Sequence, residues 1–205
     1  MLKRLITVAA VFGFMSLSAF AGPITYLVTV NTSSIHGTSG SLEFQFNPGA
    51  SSQLADLQIL NFTSNGTLVP PPVRTGDASG TLPGTLTFDN LTGFNDYFED
   101  FTFGTTLSFL ASFSGPALTS PTGTFPSDSK FVFSMFSDAA GTVPALTSNA
   151  LGDALDISVL HTTGNTSVTN FSAFTTAPVF TPEPNSLLAL TTGLLAVCFI
   201  VRRKA

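Results

Sequence analysis

The sequence predicts an all-β protein, with a single antiparallel β-sandwich or jelly-roll-like ectodomain over residues 22–180, an N-terminal signal peptide and a C-terminal transmembrane helix. Three observations lead to this prediction. Apolar and polar residues alternate with a period of two in many short segments, the pattern of half-buried strands. Glycine and proline interrupt these segments at intervals of roughly 8 to 15 residues, which is typical of a sandwich. Seventeen of the 21 phenylalanines fall between residues 22 and 183, which is enough to build a core without disulfides.

The first 21 residues have the three parts of a secretory signal peptide. These parts are a positive start, an apolar stretch and a small-x-small pattern, carried by Lys3 and Arg4, by residues 5–17, and by Ala19 and Ala21. We therefore expect signal peptidase to cleave before Gly22. The alternative is a retained N-terminal membrane helix, which the short length of the stretch disfavours.

Nine segments of the ectodomain are predicted to be strands: 24–31, 40–46, 56–63, 84–89, 98–103, 106–114, 130–137, 155–161 and 166–174. In the segment 106–114, for example, Leu107, Phe109, Ala111 and Phe113 alternate with polar residues or leucine. The stretches 68–77 and 114–129 are rich in proline and glycine, so they are predicted to be long loops.

The distribution of charge excludes nucleic acid as a partner. Residues 22–183 hold two basic residues, Arg74 and Lys130, against twelve acidic ones, a formal charge of −10. Affinity for nucleic acid comes largely from lysine and arginine side chains that neutralise phosphates.

Common catalytic motifs are absent from the sequence, which contains no Gly-x-Ser-x-Gly, no His-Glu-x-x-His and no phosphate-binding loop. His36 follows a predicted strand and His161 ends another, and a turn or strand-edge position is the favoured interpretation over a catalytic base. The sequence therefore predicts no catalytic residue, and we expect the protein not to be an enzyme.

One acidic cluster, over residues 95–100, allows two interpretations. In a loop, Asp96, Glu99 and Asp100 would converge on Ca²⁺, which takes oxygen ligands. In a strand, Asp96 and Asp100 would share one face with Phe98, and Glu99 would share the other face with Tyr97. The favoured interpretation is a solvated acidic edge that discourages aggregation, so no cofactor is required.

The C-terminal segment combines a short motif, an apolar stretch and a basic end. Pro182, Glu183 and Pro184 precede the uncharged stretch 186–201, and Arg202, Arg203 and Lys204 follow it. Sixteen helical residues rise about 24 Å, slightly less than the hydrocarbon core, so they predict a short transmembrane helix with a cytoplasmic tail. Within it, Cys198 is expected to be an apolar filler rather than a lipidation or redox site.

This block, "TPEPNSLLALTTGLLAVCFIVRRKA" over residues 181–205, resembles the PEP-CTERM sorting signal of Gram-negative bacteria. The resemblance implies recognition and processing by an exosortase, transient anchoring in the inner membrane, and delivery to the cell surface or an extracellular polysaccharide matrix. The alternative is a plain anchor that is never removed. Stretches such as "TSGSLEFQFNPG" (38–49) and "GTLPGTLTFDN" (80–90) also resemble PEP-CTERM proteins that have one β-rich ectodomain, and this resemblance implies no catalytic residues.

Together these observations favour a non-catalytic, secreted and surface-sorted protein with a structural or interaction role in the cell envelope or biofilm matrix. A carbohydrate-binding or adhesive module is the first alternative, and an extracellular hydrolase is the second. The chain has no tryptophan and two tyrosines, Tyr26 and Tyr97, although sugar-binding faces commonly use aromatic rings. An exposed polar groove would favour binding, and acids converging in a pocket would favour an enzyme.

Overall fold

The computed structural model describes residues 22–176 and 179–180. These residues form twelve strands: β1 Ile24–Asn31, β2 Ser39–Pro48, β3 Asp56–Ser64, β4 Thr67–Thr75, β5 Ser79–Gly80, β6 Leu86–Asp89, β7 Asp96–Thr102, β8 Thr106–Ser114, β9 Ser129–Phe136, β10 Asp153–Val159, β11 Thr166–Asn170 and β12 Val179–Phe180. A 3₁₀ turn covers Ser33–Ile35, and one helical turn, α1, covers Pro116–Thr119.

The strands form two six-stranded antiparallel sheets. Sheet A has the order β12-β1-β8-β3-β6-β5, and sheet B has the order β11-β10-β9-β2-β7-β4. The two sheets share one hydrophobic core, as in a β-sandwich. The prediction of an all-β domain with antiparallel strands is therefore confirmed.

All nine predicted strands are present, and two of them, 24–31 and 106–114, have the predicted ends. The predicted loop over 114–129 contains α1 and is otherwise irregular. The predicted loop over 68–77 is wrong, because most of it forms the edge strand β4.

Strand β4 contains three consecutive prolines, Pro70 to Pro72, which led the sequence-based prediction to a loop. Proline has no N–H to donate to a neighbouring strand. In a central strand every N–H faces one neighbour or the other, whereas in an edge strand every second N–H faces away from the sheet. Strand β4 pairs with β7 alone, and its register shifts between Val69 and Val73, where the prolines stand. The edge position thus explains how the prolines are accommodated.

Phenylalanine rings from both sheets interlock in the core. Phe44 of sheet B lies edge-on to Phe109 of sheet A, with ring centroids 5.2 Å apart, and Phe109 lies 5.0 Å from Phe133. All three side chains are fully buried. Each such pair contributes about 0.5–1.5 kcal/mol beyond the burial of its apolar area. The core residues predicted from alternation in β8, namely Leu107, Phe109, Ala111 and Phe113, all point inward, as expected.

Gly40 marks a close approach inside sheet B. A Cβ atom at this position would lie 2.1 Å from the carbonyl oxygen of Phe136 and 2.7 Å from the ring of Phe103. The glycine in "TSGSLEF" is therefore required by packing rather than by a turn.

The predicted signal peptide and the block 181–205 lie outside the described residues. Among residues 22–176 and 179–180, no helix has the length and apolarity needed to cross a membrane.

Candidate functional site

The acidic segment around residue 98 forms strand β7, so its side chains point alternately to the two sides of sheet B. Glu99 points into the core and is 2% exposed. Asp96 and Asp100 lie on the outer side with Phe98, as the strand alternative predicted. Strand β7 lies between β2 and β4, so it is internal to the sheet.

This placement corrects both interpretations of the cluster. The calcium site required Asp96, Glu99 and Asp100 to converge, but the strand holds Glu99 on the opposite side from the two aspartates. The solvated edge required exposed carboxylates on an edge strand, but Asp96 and Glu99 are buried and β7 is internal. Within the described part of the chain, no group of three or more His, Cys, Asp or Glu residues could hold a metal ion.

Glu99 is stabilised in the core by Tyr97. The Tyr97 hydroxyl donates a hydrogen bond to Oε2 of Glu99 and accepts one from the Leu82 N–H at 3.1 Å. Burial raises the pKa of Glu99, and the hydrogen bond from Tyr97 and the positive charge of Arg74 oppose that rise. Burial and the same carboxylate raise the pKa of Tyr97. Through the Leu82 N–H, the Tyr97–Glu99 pair connects β7 to the segment before β6. The pair therefore has a structural role.

A second carboxyl contact lies on the outer side of sheet B. Asp96 of β7 is 7% exposed and in hydrogen-bonding contact with Glu43 of β2. Burial, reinforced by the charge of Glu43 and by their hydrogen bond, raises the pKa of Asp96 to about 7. Burial also raises the pKa of Glu43, and the charge of Asp153 adds to the rise. Two carboxyl groups can hydrogen-bond to each other only when one of them is protonated, and the raised pKa of Asp96 keeps a proton on this pair at pH values below about 7.

The two histidines occupy turns, as predicted. His36 follows the 3₁₀ turn. His161 follows β10, and both its N–H and its ring Nδ1 contact Oδ1 of Asp128, at 2.8 and 2.6 Å. Burial alone would raise the pKa of Asp128, but the hydrogen bonds and charge of His161 lower it. This contact fixes the end of β10 against the loop before β9.

A polar groove lies at the β5 end of sheet A and has a volume of about 420 Å³. Asp56, Asp77 and Asp89 line it together with Gln58, Ser79 and Thr87. Asp77 and Asp89 accept hydrogen bonds from the N–H groups of Thr92 and Leu91, both at 2.9 Å, so they also hold the loop after β6. Burial and the negative charge of Asp89 raise the pKa of Asp56.

Sequence reasoning did not identify Glu43 or the groove. Glu43 stands at an ordinary outward position of "LEFQF", and only the pairing of β2 with β7 brings it to Asp96. The groove joins residues from β3, β6 and the segment before β5, which are separated in sequence. Local acidity alone could have indicated the aspartates, but not their convergence.

Three sets of predicted site residues lie outside the described residues. They are the sorting motif Pro182, Glu183 and Pro184, the basic residues Arg202, Arg203 and Lys204, and the cleavage-site residues Ala19 and Ala21. Gly22, the expected first mature residue, is exposed two positions before β1.

No protein family, curated protein or solved structure matches this chain.

Proposed function

We propose that the protein is a non-catalytic, exported component of the bacterial cell envelope or extracellular matrix, with a structural or interaction role. The observation that carries this proposal is the block 181–205, with its Pro-Glu-Pro motif, apolar stretch and basic end, in a chain whose first 21 residues have the pattern of a signal peptide. Signal peptidase and an exosortase are the processing partners that this combination implies.

The arrangement of the first and last described strands supports the proposal. Strand β12 pairs with β1, with Leu27 opposite Val179 and Tyr26 opposite Phe180. Cleavage before Gly22 leaves β1 complete, and the Pro-Glu-Pro motif begins two residues after β12. Both terminal segments can therefore be removed without cutting a strand of either sheet.

The test is fractionation of a tagged chain in a Gram-negative host that encodes an exosortase. The tag is inserted at Gly93, an exposed loop position with open space around it. We expect the intact chain at the cell surface or in the matrix. A variant with Pro182, Glu183 and Pro184 changed to alanine should accumulate as a larger, membrane-bound form. Mature protein that retained residues 201–205 would favour the plain anchor and overturn the sorting proposal.

An extracellular hydrolase is a second candidate function, because Asp56 and Asp89 face each other across β3 and β6 in the groove. A raised pKa on one carboxyl beside a second one is the arrangement that acid–base hydrolysis of glycosides uses. Incubation of the purified chain with neutral and acidic polysaccharides, followed by reducing-end analysis, tests it. Activity that the Asp56→Asn variant lost and the Asp100→Asn variant kept would replace the non-catalytic proposal.

A further inference from the structure

A shallow depression lies on the outer face of sheet A, at the end opposite the groove, and has a volume of about 360 Å³. Six of its lining residues carry hydroxyl or amide groups and none carries a charge: Thr29, Thr63, Ser64, Asn65, Thr106 and Ser108. A concave surface lined by uncharged hydrogen-bonding groups suits a ligand that is itself rich in hydroxyl groups.

Strand register and a bulge build this depression. Thr29 of β1 lies opposite Ser108 of β8, which lies opposite Thr63 of β3, so the three form one row across the sheet. The register of β3 shifts between Leu60 and Thr63, and Asn61 in that shift has a φ of 53°. A bulge of this kind bends the strand and re-aims the side chains that follow it.

Internal hydrogen bonds fix part of the lining and leave part of it free. The hydroxyls of Thr63 and Ser108 are 2.8 Å apart, and the Ser64 hydroxyl donates to the Thr106 carbonyl oxygen at 2.7 Å. The side-chain hydroxyls of Thr29 and Thr106 make no hydrogen bond within the described part of the chain. These two groups can therefore exchange water for a ligand while their neighbours hold the shape.

A row of leucines borders the depression. Leu27, Leu110 and Leu60 lie opposite one another on β1, β8 and β3, in the row next to Thr29, Ser108 and Thr63 along the strands. Leu27 is 38% exposed, and the other two are half-buried. A sugar ring has apolar C–H faces and hydroxyl edges, so an apolar row beside a hydroxyl row offers both kinds of contact.

The charge of the surface selects the class of partner. Strands β1, β3 and β8 together carry one charged side chain, Asp56 at the far end of β3, although residues 22–183 carry a formal charge of −10. An uncharged face on an acidic body repels polyanions at long range and supplies no charge to bind cations. Charge complementarity therefore favours a neutral ligand.

From these observations we infer that the depression and its leucine row, here called the hydroxyl face, bind neutral polysaccharide. The inference rests on the proposed function, because it names the matrix component with which the exported protein interacts. Strand β8 extends about 27 Å from Thr106 to Ser114, long enough for several sugar units to lie along the sheet.

The experiment is affinity electrophoresis of the full chain, purified in mild detergent, through gels that contain barley β-glucan, dextran or polygalacturonate. We expect a neutral glucan to retard the chain and the acidic polymer to leave it unaffected. The double variant Leu27→Ser, Leu110→Ser should bind the glucan roughly tenfold more weakly, because it loses apolar contact on the row. Serine is also the residue at the neighbouring outward positions 108 and 112 of β8, so the sheet should accept it.

The matched control is Val132→Ser, which removes a half-buried apolar side chain from the outer face of sheet B instead. It should bind like the unaltered chain. A second variant, Thr29→Glu, adds a charge to the depression and leaves the leucine row intact. It should also weaken binding, because the ligand would have to remove water from the charged carboxylate. Melting temperatures of all variants show whether each has folded.

The inference is overturned if neither neutral glucan retards the chain, or if the double variant binds as the unaltered chain does. It is also overturned if sedimentation shows that the unaltered chain is a dimer and the double variant is a monomer, because a second copy would then occupy the face. Correct surface sorting without glucan binding would overturn this inference alone. Glucan binding by a chain that is never exported would overturn the proposed function alone.

Discussion

The carboxyl groups of Glu43 and Asp96 are in hydrogen-bonding contact across β2 and β7, on the outer side of sheet B. Asp96 is buried, and its Oδ1 has no hydrogen-bond partner within the described residues. Neighbouring strands thus hold two acids together at a place where only a shared proton makes the contact favourable.

This contact predicts that the protein is more stable in mild acid than in mild base. Folding raises the pKa of Asp96 from 3.8 to about 7, so between these values the folded state holds a proton that the unfolded state has released. The free energy of unfolding therefore falls as the pH rises from about 4 through 7. Glu43, Asp56, Glu99 and Asp153 have raised pKa values and add in the same direction.

Thermal melting at pH 5 and pH 8 measures the effect. Each pKa unit corresponds to about 1.4 kcal/mol, and each kcal/mol to roughly 2–4 °C for a domain of this size. Asp96→Asn should raise the melting temperature at pH 8 and remove much of the difference between the two pH values. Asp100→Asn, on the same face of β7, is the control and should leave the difference in place. A melting temperature that rose from pH 5 to pH 8 would contradict this account.

Gly40→Ala should lower the free energy of unfolding by about 1–3 kcal/mol, because the added methyl group meets the Phe136 carbonyl and the Phe103 ring. Gly93→Ala is the matched control, since a Cβ there has open space around it. Chemical denaturation of the two variants measures the difference. Equal midpoints for both would show that sheet B adjusts around residue 40.

Asn95→Asp should also destabilise the domain, by several kcal/mol. Asn95 is fully buried, and its amide nitrogen lies 2.9–3.0 Å from the carbonyl oxygens of Phe46, Asp89 and Thr92. An aspartate has the same shape but no amide donor, and it would bury a carboxyl group against three acceptors. Asn165→Asp, at an exposed turn position, is the control and should change the free energy of unfolding by less than about 0.5 kcal/mol.

The mature chain should begin at Gly22, because Ala19 and Ala21 are small residues at the positions that signal peptidase recognises. Amino-terminal sequencing of exported protein provides the measurement. Ala21→Phe should slow processing and leave the precursor, whereas Phe20→Leu, between the two small residues, should be processed normally. Exported protein that began at Met1 would instead indicate a retained helix.

Replacement of Arg202, Arg203 and Lys204 by glutamine should weaken membrane retention and orientation before processing, because the basic tail supplies the positive-inside signal. Protease protection of membrane vesicles reports the orientation. The triple variant Arg202→Lys, Arg203→Lys, Lys204→Arg keeps the charge and serves as the control. Unchanged orientation in the glutamine variant would show that the signal peptide alone sets the topology.

Local sequence pattern was sufficient to predict the fold class and most of the strands. Period-two alternation depends only on which residues face the core, so segments such as Ile24–Asn31 and Thr106–Ser114 could be placed without knowledge of their neighbours. The same rule anticipated that Glu99 and Asp96 lie on opposite sides if their segment is a strand. The proposed sorting block and the proposed cleavage site are likewise read from linear patterns.

Which strands are edges, and which distant residues meet, became clear only from the folded chain. The prolines of β4 are compatible with a strand because β4 has one neighbour, and no local signal states how many neighbours a strand has. Glu43 contacts Asp96, and Thr29 shares a row with Ser108 and Thr63, because of pairings between segments dozens of residues apart. Strand pairing depends on the packing of the whole core. It therefore determined both which acids meet on sheet B and which residues form the hydroxyl face.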